Sequence, residues 1–190
     1  MARSSDPTMG LFGKEKGRRG SSPPRGFEGV SSTLERGLEK LSAHYKYFYK
    51  KLNRAEGFLE KGDTTGFKNM IGKAMRALSE FRMDLGDITV GPAKALVKRA
   101  DILITDALVK LRDDASEKPL KRVKYKTLID AEENVNKAMR SIIKNGNDFL
   151  NKKHQWGETP KRAEVEIRKF IVRYKKIHSK YALDRSKEDD

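Results

Sequence analysis

Residues 34–59, LERGLEKLSAHYKYFYKKLNRAEGFL, decide the fold. Their apolar positions recur alternately four and three residues apart, the spacing that aligns side chains along one face of an α-helix. Ser32 and Glu35 form a Ser-x-x-Glu capping box that predicts the start of this helix, and Gly62 predicts its end. The apolar face comprises Leu34, Leu38, Leu41, Tyr45, Phe48, Leu52, Ala55 and Leu59.

The same criterion predicts further helices along the rest of the chain. A second helix begins at Asp63 or Thr64 and ends at Gly86, and a third begins at Pro92 and ends before Pro119. A fourth covers about 122–145, and a fifth begins at Thr159 and Pro160. Residues 146–158 stay unassigned, because their glycines disfavour a helix while their aromatic residues favour burial.

No segment alternates between apolar and polar residues as a strand would, so the fold class is all-α. We expect an antiparallel bundle of four to five helices with a basic, extended N-terminal arm. Residues 1–30 form this arm, which is rich in Gly, Pro and Arg and too polar to fold alone. The bundle occupies residues 31–183, and residues 184–190 form an acidic tail.

The composition of the 190-residue chain bears on its partners. Lys and Arg number 42 against 27 Asp and Glu, a net charge of +15, which favours DNA, RNA or an anionic membrane surface as partner. The chain has no cysteine, so disulfides and thiolate metal sites are excluded. No apolar run approaches the ~20 residues of a membrane span, and the N-terminus does not resemble a secretory signal. Missing cysteine, scarce glutamine and abundant charged residues favour a thermophilic source.

A search for catalytic patterns yields nothing that argues for an enzyme. The three histidines lie far apart in the sequence, and none belongs to a zinc or di-iron motif. The stretch GFKNMIGK, residues 66–73, departs from a phosphate-binding loop in its glycine spacing and in having Ala74 where Ser or Thr would hold magnesium. We therefore expect a non-catalytic protein without metal or cofactor.

Basic residues form stripes beside the apolar faces of the first and last predicted helices. On the first helix, Tyr47 and Tyr49 are not needed by the apolar face, and they could stack on bases or line a subunit contact. Such one-sided positive charge is expected of a protein that binds phosphates without reading sequence. The candidate nucleic-acid-binding residues are Arg18, Arg19, Arg25, Lys40, Lys46, Tyr47, Lys50, Lys51, Arg54, Arg162, Lys169, Arg173, Lys176 and Lys180.

In its layout of a basic arm, a long helix and a helical bundle, the chain resembles the α-helical major capsid proteins of filamentous archaeal viruses. In that family the arm and N-terminal helices wrap duplex DNA, and a C-terminal bundle forms the outer shell. The resemblance implies a structural protein located in a virion, which coats duplex DNA and associates with itself or a related subunit into a filament.

Two alternatives remain open at this point, both of which would place the protein in the cytoplasm. The stretch MGLFGK, residues 9–14, is similar to the amphipathic start of the membrane-remodelling filament subunits of the endosomal sorting machinery, which also begin with a basic helical hairpin. In that case the cations would contact anionic lipid. The second alternative is an accessory factor that binds ribosomal RNA.

Overall fold

The computed structural model describes residues 26–88, 97, 99–116, 125–151 and 161–187. Within these ranges the chain forms five α-helices and no strand, so the predicted all-α bundle is confirmed. A short 3-10 helix, Arg185–Lys187, follows the last α-helix. The five helices are α1 (Gly26–Glu60), α2 (Thr64–Asp87), α3 (Ala100–Ser116), α4 (Tyr125–Asn151) and α5 (Lys161–Tyr181).

Helix α1 begins at Gly26, and the predicted start at Ser32 is wrong. Ser32 therefore lies inside the helix. Residues 26–30, which the sequence assigned to the arm, therefore belong to α1. The predicted apolar face is buried from Leu34 to Ala55, and Leu59 packs against it in a partly buried position.

Helices α1 and α2 form an antiparallel hairpin. Gly62 lies in the turn between the two helices, where its φ of 67° is the left-handed conformation that glycine adopts without strain. Asp63 then caps α2 by accepting a hydrogen bond from the Gly66 backbone N–H at 2.8 Å. At the other end of the hairpin, a Cβ built on Gly37 would lie only 2.6 Å from Ile88 Cγ1, so this glycine allows α1 to approach the end of α2 closely.

The third and fourth helices differ from their predicted bounds. Arg99 has a φ of 69°, which a continuous right-handed helix cannot accommodate, so α3 begins after it, at Ala100. Val97 lies in a turn before α3, and Pro92, the predicted start, lies outside the described residues. Helix α4 continues through Gly146 to Asn151, because one buried glycine costs only about 1 kcal/mol relative to alanine.

Helix α5 packs against α1 and α4. The Tyr45 ring contacts Tyr174, and the Tyr49 ring contacts His178, so residue numbers increase in the same direction along α1 and α5. The two helices are parallel, as expected when consecutive neighbours alternate in direction along five helices. The predicted helix start at Thr159 and Pro160 lies outside the described residues.

Candidate nucleic-acid interface

The solvent side of α1 carries a row of three cationic side chains. Lys46, Lys50 and Arg54 are exposed, and their spacing of four residues places them one above another along the helix. In the part of the chain that the structure describes, none of the three has a carboxylate at ion-pair distance. These side chains therefore keep their full positive charge toward solvent.

Tyr47 lies beside this row and presents an exposed aromatic ring. Tyr47 is 44% exposed, whereas Tyr45, Phe48 and Tyr49 of the same helix are completely buried. The Lys51 ammonium lies 4.6 Å from the centre of the ring, in a cation–π contact. Tyr47 thus combines an accessible apolar face with an adjacent positive charge, which suits contact with a sugar or a base.

The packing of the helices places three segments at the same level of the bundle. Along the antiparallel α1–α2 pair, Lys40 lies opposite Asp84 and Phe58 packs over Gly66, so residues 45–60 run beside residues 64–79. Along the parallel α1–α5 pair, the contact between Tyr45 and Tyr174 places residues 167–181 beside the same part of α1.

Stretches without acidic residues on all three helices overlap at this level. No Asp or Glu occurs in residues 40–55 of α1, 64–79 of α2 or 167–181 of α5. The gap in acidic residues is visible in the sequence, but only the packing shows that the three gaps coincide. The result is a surface centred on α1 where cationic side chains have few carboxylates to neutralise them.

Helix α2 adds Lys73 and Arg76 to this surface. Arg76 is exposed and Lys73 half-buried, and the antiparallel register places Lys73 opposite Lys51. Neither α2 residue has an ion-pair partner among the described residues. Sequence reasoning missed both, because α2 was interpreted as core helix alone; the absence of acidic residues from 64–79 was the signal.

The predicted stripe on α5 is divided by the structure. Lys176 and Lys180 are exposed, and the Lys180 ammonium lies 5.5 Å from the centre of the Tyr181 ring. Lys169 contacts Glu166 at 2.6 Å, and Arg173 approaches Glu39 of α1 at 4.0 Å. Only the C-terminal half of the stripe is thus free of carboxylates within the described residues.

Lys40 and His44 lie at the N-terminal end of the basic stripe on α1, where they face carboxylates of α2. Lys40 Nζ lies 3.3 Å from Asp84 Oδ1, and His44 Nε2 lies 2.9 Å from Asp84 Oδ2. Glu80 contacts the other ring nitrogen of His44 at 3.2 Å. Lys40 and Asp84 neutralise each other, which sets Lys40 apart from the unpaired cations nearer the C-terminus of α1.

We use the term basic surface for the exposed or half-buried side chains without a carboxylate partner that meet at this level of the bundle. Its members share an outward position on three adjacent helices, with Tyr47 among the cations. They are Lys46, Tyr47, Lys50, Lys51 and Arg54 of α1, Lys73 and Arg76 of α2, and Lys176 and Lys180 of α5.

Tyr49 does not belong to this surface, and its interpretation as a surplus tyrosine is wrong. Its side chain is completely buried, and its hydroxyl lies 2.8 Å from both Glu132 Oε1 and Asn136 Oδ1. The Tyr45 hydroxyl donates to the same Asn136 oxygen at 2.8 Å. Polar partners on α4 therefore explain a tyrosine that the apolar spacing of α1 does not require.

Glu132 is the centre of this buried polar cluster. Its side chain also accepts a hydrogen bond from the Leu183 backbone N–H at 3.3 Å, which anchors the chain just after α5. Burial raises the pKa of the Glu132 carboxyl, and the hydrogen bonds from Tyr49 and Leu183 offset only part of this effect. Burial likewise raises the pKa of Tyr45 and Tyr49, so both phenols stay protonated. The cluster thus joins α1, α4 and the chain after α5 inside the bundle.

Four predicted site residues lie outside the described side chains. Arg18, Arg19 and Arg25 belong to the arm, and only the backbone of Arg162 is described, in the first turn of α5. Among the residues that the structure covers, no group of three or more His, Asp or Glu side chains is placed to hold a metal ion. No described helix is both long and apolar enough to cross a membrane.

Comparison with known proteins adds no relatives. No family model, curated protein or solved structure matches the chain. The basic surface is therefore the feature of the structure that bears on function.

Proposed function

We propose that the protein is a structural, non-catalytic coat protein that binds duplex DNA through phosphate contacts on the basic surface and assembles into a filament. The observation that carries this proposal is the coincidence of the three acid-free segments on α1, α2 and α5. Duplex DNA carries one negative charge per ≈ 1.7 Å of its axis, and a surface of unpaired cations gains by releasing the counterions of that charge.

Binding without sequence specificity follows from the kinds of side chain on this surface. Lysine and arginine side chains on helix exteriors position a protein on phosphates, whereas base recognition requires an element that enters a groove. Among the described side chains of α1, Tyr47 has the one exposed aromatic ring, which is suited to packing against a sugar. The layout of the chain and its composition further support a location in the virion of a thermophilic archaeal virus.

The experiment that tests the proposal is a mobility-shift titration on duplex DNA over a range of salt concentrations. We expect the triple variant Lys46→Ala, Lys50→Ala, Arg54→Ala to bind more weakly and to reduce the slope of log K against log salt by about 2–3, because each lost phosphate contact removes about 0.9 from the slope. Circular dichroism should show unchanged helicity, since the three side chains are exposed.

A matched control removes equal charge from another face. Lys126, Lys137 and Lys144 of α4 are exposed and lie on a different helix. Their triple alanine variant should retain the affinity and salt slope of the wild type. Equal losses in both triple variants would contradict a defined binding surface and would indicate that net charge alone attracts the DNA.

The same protein samples separate this proposal from its rivals. Flotation with anionic vesicles at ~150 mM salt tests the membrane-remodelling alternative, and co-sedimentation with ribosomes tests the RNA accessory factor. Retention by vesicles together with no DNA shift would overturn the proposal in favour of a membrane partner. Electron microscopy of protein mixed with linear duplex DNA should show rods whose length follows that of the DNA.

A further inference from the structure

The chain immediately after α5 is held against the N-terminal half of α4. The side chain of Leu183 enters the core and is 5% exposed. Its backbone N–H donates a hydrogen bond to Glu132 Oε1 at 3.3 Å, and the Asp184 carbonyl accepts one from the Tyr125 hydroxyl at 3.0 Å. Tyr125 and Glu132 are separated by two turns of α4 and lie on the same side of that helix. One side of α4 thus binds two consecutive residues beyond α5.

Two further contacts fix this part of the chain. The Tyr125 hydroxyl also lies 3.0 Å from Glu56 Oε1, near the C-terminal end of α1. Asp184 Oδ1 accepts hydrogen bonds from the backbone N–H of Ser186 at 3.0 Å and from its hydroxyl at 2.8 Å. We use the term C-terminal latch for residues 183–186 together with the contacts that Tyr125 and Glu132 make to them.

The end of α5 has few other attachments to the core. Among the described residues from 172 to 186, Ile177 and Leu183 are the only apolar residues that are buried, while Tyr174 and Tyr181 are partly buried. The last four carbonyls of a helix have no partner within it, and a terminal turn that nothing holds opens readily. The C-terminal latch therefore provides about half of the buried attachment of this end of α5.

Two cations of the basic surface stand on the same part of α5. Lys176 and Lys180 are exposed and lie one turn apart, on either side of Ile177, and Lys180 belongs to the last turn. If that turn opened, both side chains would keep their charge but lose their place beside the cations of α1. Phosphate contacts require cations at defined positions, so the order of this turn bears directly on binding.

We propose that Tyr125 and Glu132 are positioning residues for DNA binding, which hold the C-terminal latch and thereby keep Lys176 and Lys180 in the basic surface. The role of the latch in binding rests on the proposed function. Neither Tyr125 nor Glu132 belongs to the basic surface, so both act only through the end of α5.

Limited proteolysis tests the latch without nucleic acid, because trypsin cleaves a helix only where it opens. The latch variant Tyr125→Phe, Leu183→Ala removes the hydroxyl and the buried side chain. We expect cleavage after Lys180 to become at least tenfold faster and cleavage after Lys50 to stay unchanged. Leu85→Ala, which truncates a comparably buried leucine of α2 at 3% exposure, serves as the control and should leave the rate at Lys180 unchanged.

DNA titrations in two backgrounds separate positioning from a general loss of stability. In the wild type, Lys180→Ala and Lys50→Ala should each weaken binding about fivefold at ~150 mM salt, the value of one phosphate contact. In the latch variant, Lys180→Ala should cost less than about twofold, because this lysine has already lost its position. Lys50→Ala should still cost about fivefold there, since α1 does not depend on the latch.

Substitutions of Glu132 test its part in the same way. Glu132→Gln retains an oxygen that accepts the Leu183 N–H, so the fivefold effect of Lys180→Ala should persist in that background. Glu132→Ala removes the acceptor and should reduce the effect to less than about twofold. Equal effects of Lys180→Ala in the glutamine and alanine backgrounds would overturn the role of Glu132.

The remaining outcomes distinguish the latch from the DNA contact itself. Equal losses from Lys180→Ala in the wild type and the latch variant, or no loss in either, would overturn the inference while the effect of Lys50→Ala leaves the DNA contact standing. Disappearance of the Lys50→Ala effect in the latch variant would also overturn it, because general destabilisation would then explain the weaker binding. A wild type that binds no DNA would refute the proposed function and, with it, the role of the latch in binding.

Discussion

Tyr49 of α1 and Glu132 of α4 lie 2.8 Å apart, measured from the phenolic oxygen to Oε1. The same phenolic oxygen lies 2.8 Å from Asn136 Oδ1. A phenol has one proton and can donate to only one of these acceptors at a time. Glu132 Oε1 and Asn136 Oδ1 thus compete for the single phenolic proton of Tyr49, and Asn136 Oδ1 also accepts a hydrogen bond from the Tyr45 hydroxyl. With one donor shared between two acceptors, the buried Glu132 carboxylate is incompletely hydrogen-bonded, which agrees with the raised pKa that burial gives it.

Replacing Tyr49 should destabilise the fold, whereas replacing its neighbour Tyr47 should not. Tyr49→Phe leaves Glu132 without one of its two buried donors, and we expect a loss of about 1–3 kcal/mol in the free energy of unfolding. Tyr47→Phe removes an exposed hydroxyl and should change the free energy by less than about 0.5 kcal/mol. Urea denaturation followed by circular dichroism measures both. Equal stability of the two variants would contradict the buried hydrogen bond.

The raised pKa of Glu132 predicts a specific pH dependence of stability. Because its pKa in the folded protein lies above the ordinary value of 4.5, its stabilising contribution is complete below pH 4.5 and is lost as the pH rises through the folded-state pKa. Glu132→Gln, which resembles the protonated acid, should therefore gain stability relative to the wild type as the pH increases from 4 to about 8.

Glu133 provides the matched control for this measurement. It is paired with Lys137 at 3.0 Å, and the hydrogen bond from this lysine lowers the pKa of Glu133. Its contribution has the opposite sign: it is present above the ordinary pKa and is lost as the pH falls. Glu133→Gln should thus not gain stability relative to the wild type at higher pH. Parallel pH profiles for both variants would refute the assignment of Glu132.

Gly37 should not tolerate a methyl group. The Cβ of Gly37→Ala would lie 2.6 Å from Ile88 Cγ1, so either the side chain of Ile88 or the helix must shift, at a cost of about 1–3 kcal/mol. At Gly57, in the same helix, nothing lies within 4 Å of the added Cβ. Gly57→Ala should instead stabilise the protein by about 0.5–1 kcal/mol, because alanine is the better helix former. Thermal unfolding that ranked the two variants in the opposite order would contradict the close approach of α1 to the end of α2.

Two lysines on the same helix should contribute differently to DNA affinity. Lys50 has no carboxylate partner among the described residues, and Lys50→Ala should weaken binding about fivefold at ~150 mM salt, the value of one phosphate contact. Lys40 lies 3.3 Å from Asp84, and Lys40→Ala should change affinity by less than about twofold. Fluorescence anisotropy with a short labelled duplex can resolve the difference. A larger loss of affinity in Lys40→Ala than in Lys50→Ala would contradict the exclusion of the ion-paired Lys40 from the basic surface.

Much of the fold was predictable because it depends on local periodicity. The apolar spacing of α1 and the cap at Asp63 are encoded within one or two helical turns, and both agree with the structure. The predicted start at Ser32 is wrong, because a capping-box sequence is a local preference that does not prevent a helix from continuing through it.

By itself, the sequence determined that the chain folds as an all-α bundle with an excess of positive charge, because helical periodicity and composition need no knowledge of distant residues. Only the tertiary structure decided which charges remain unpaired and which tyrosine is buried. Lys40 meets a carboxylate 44 positions away, and Tyr49 meets one 83 positions away. Charge pairing and burial depend on distances in space, and over such separations only the packing of the helices establishes those distances.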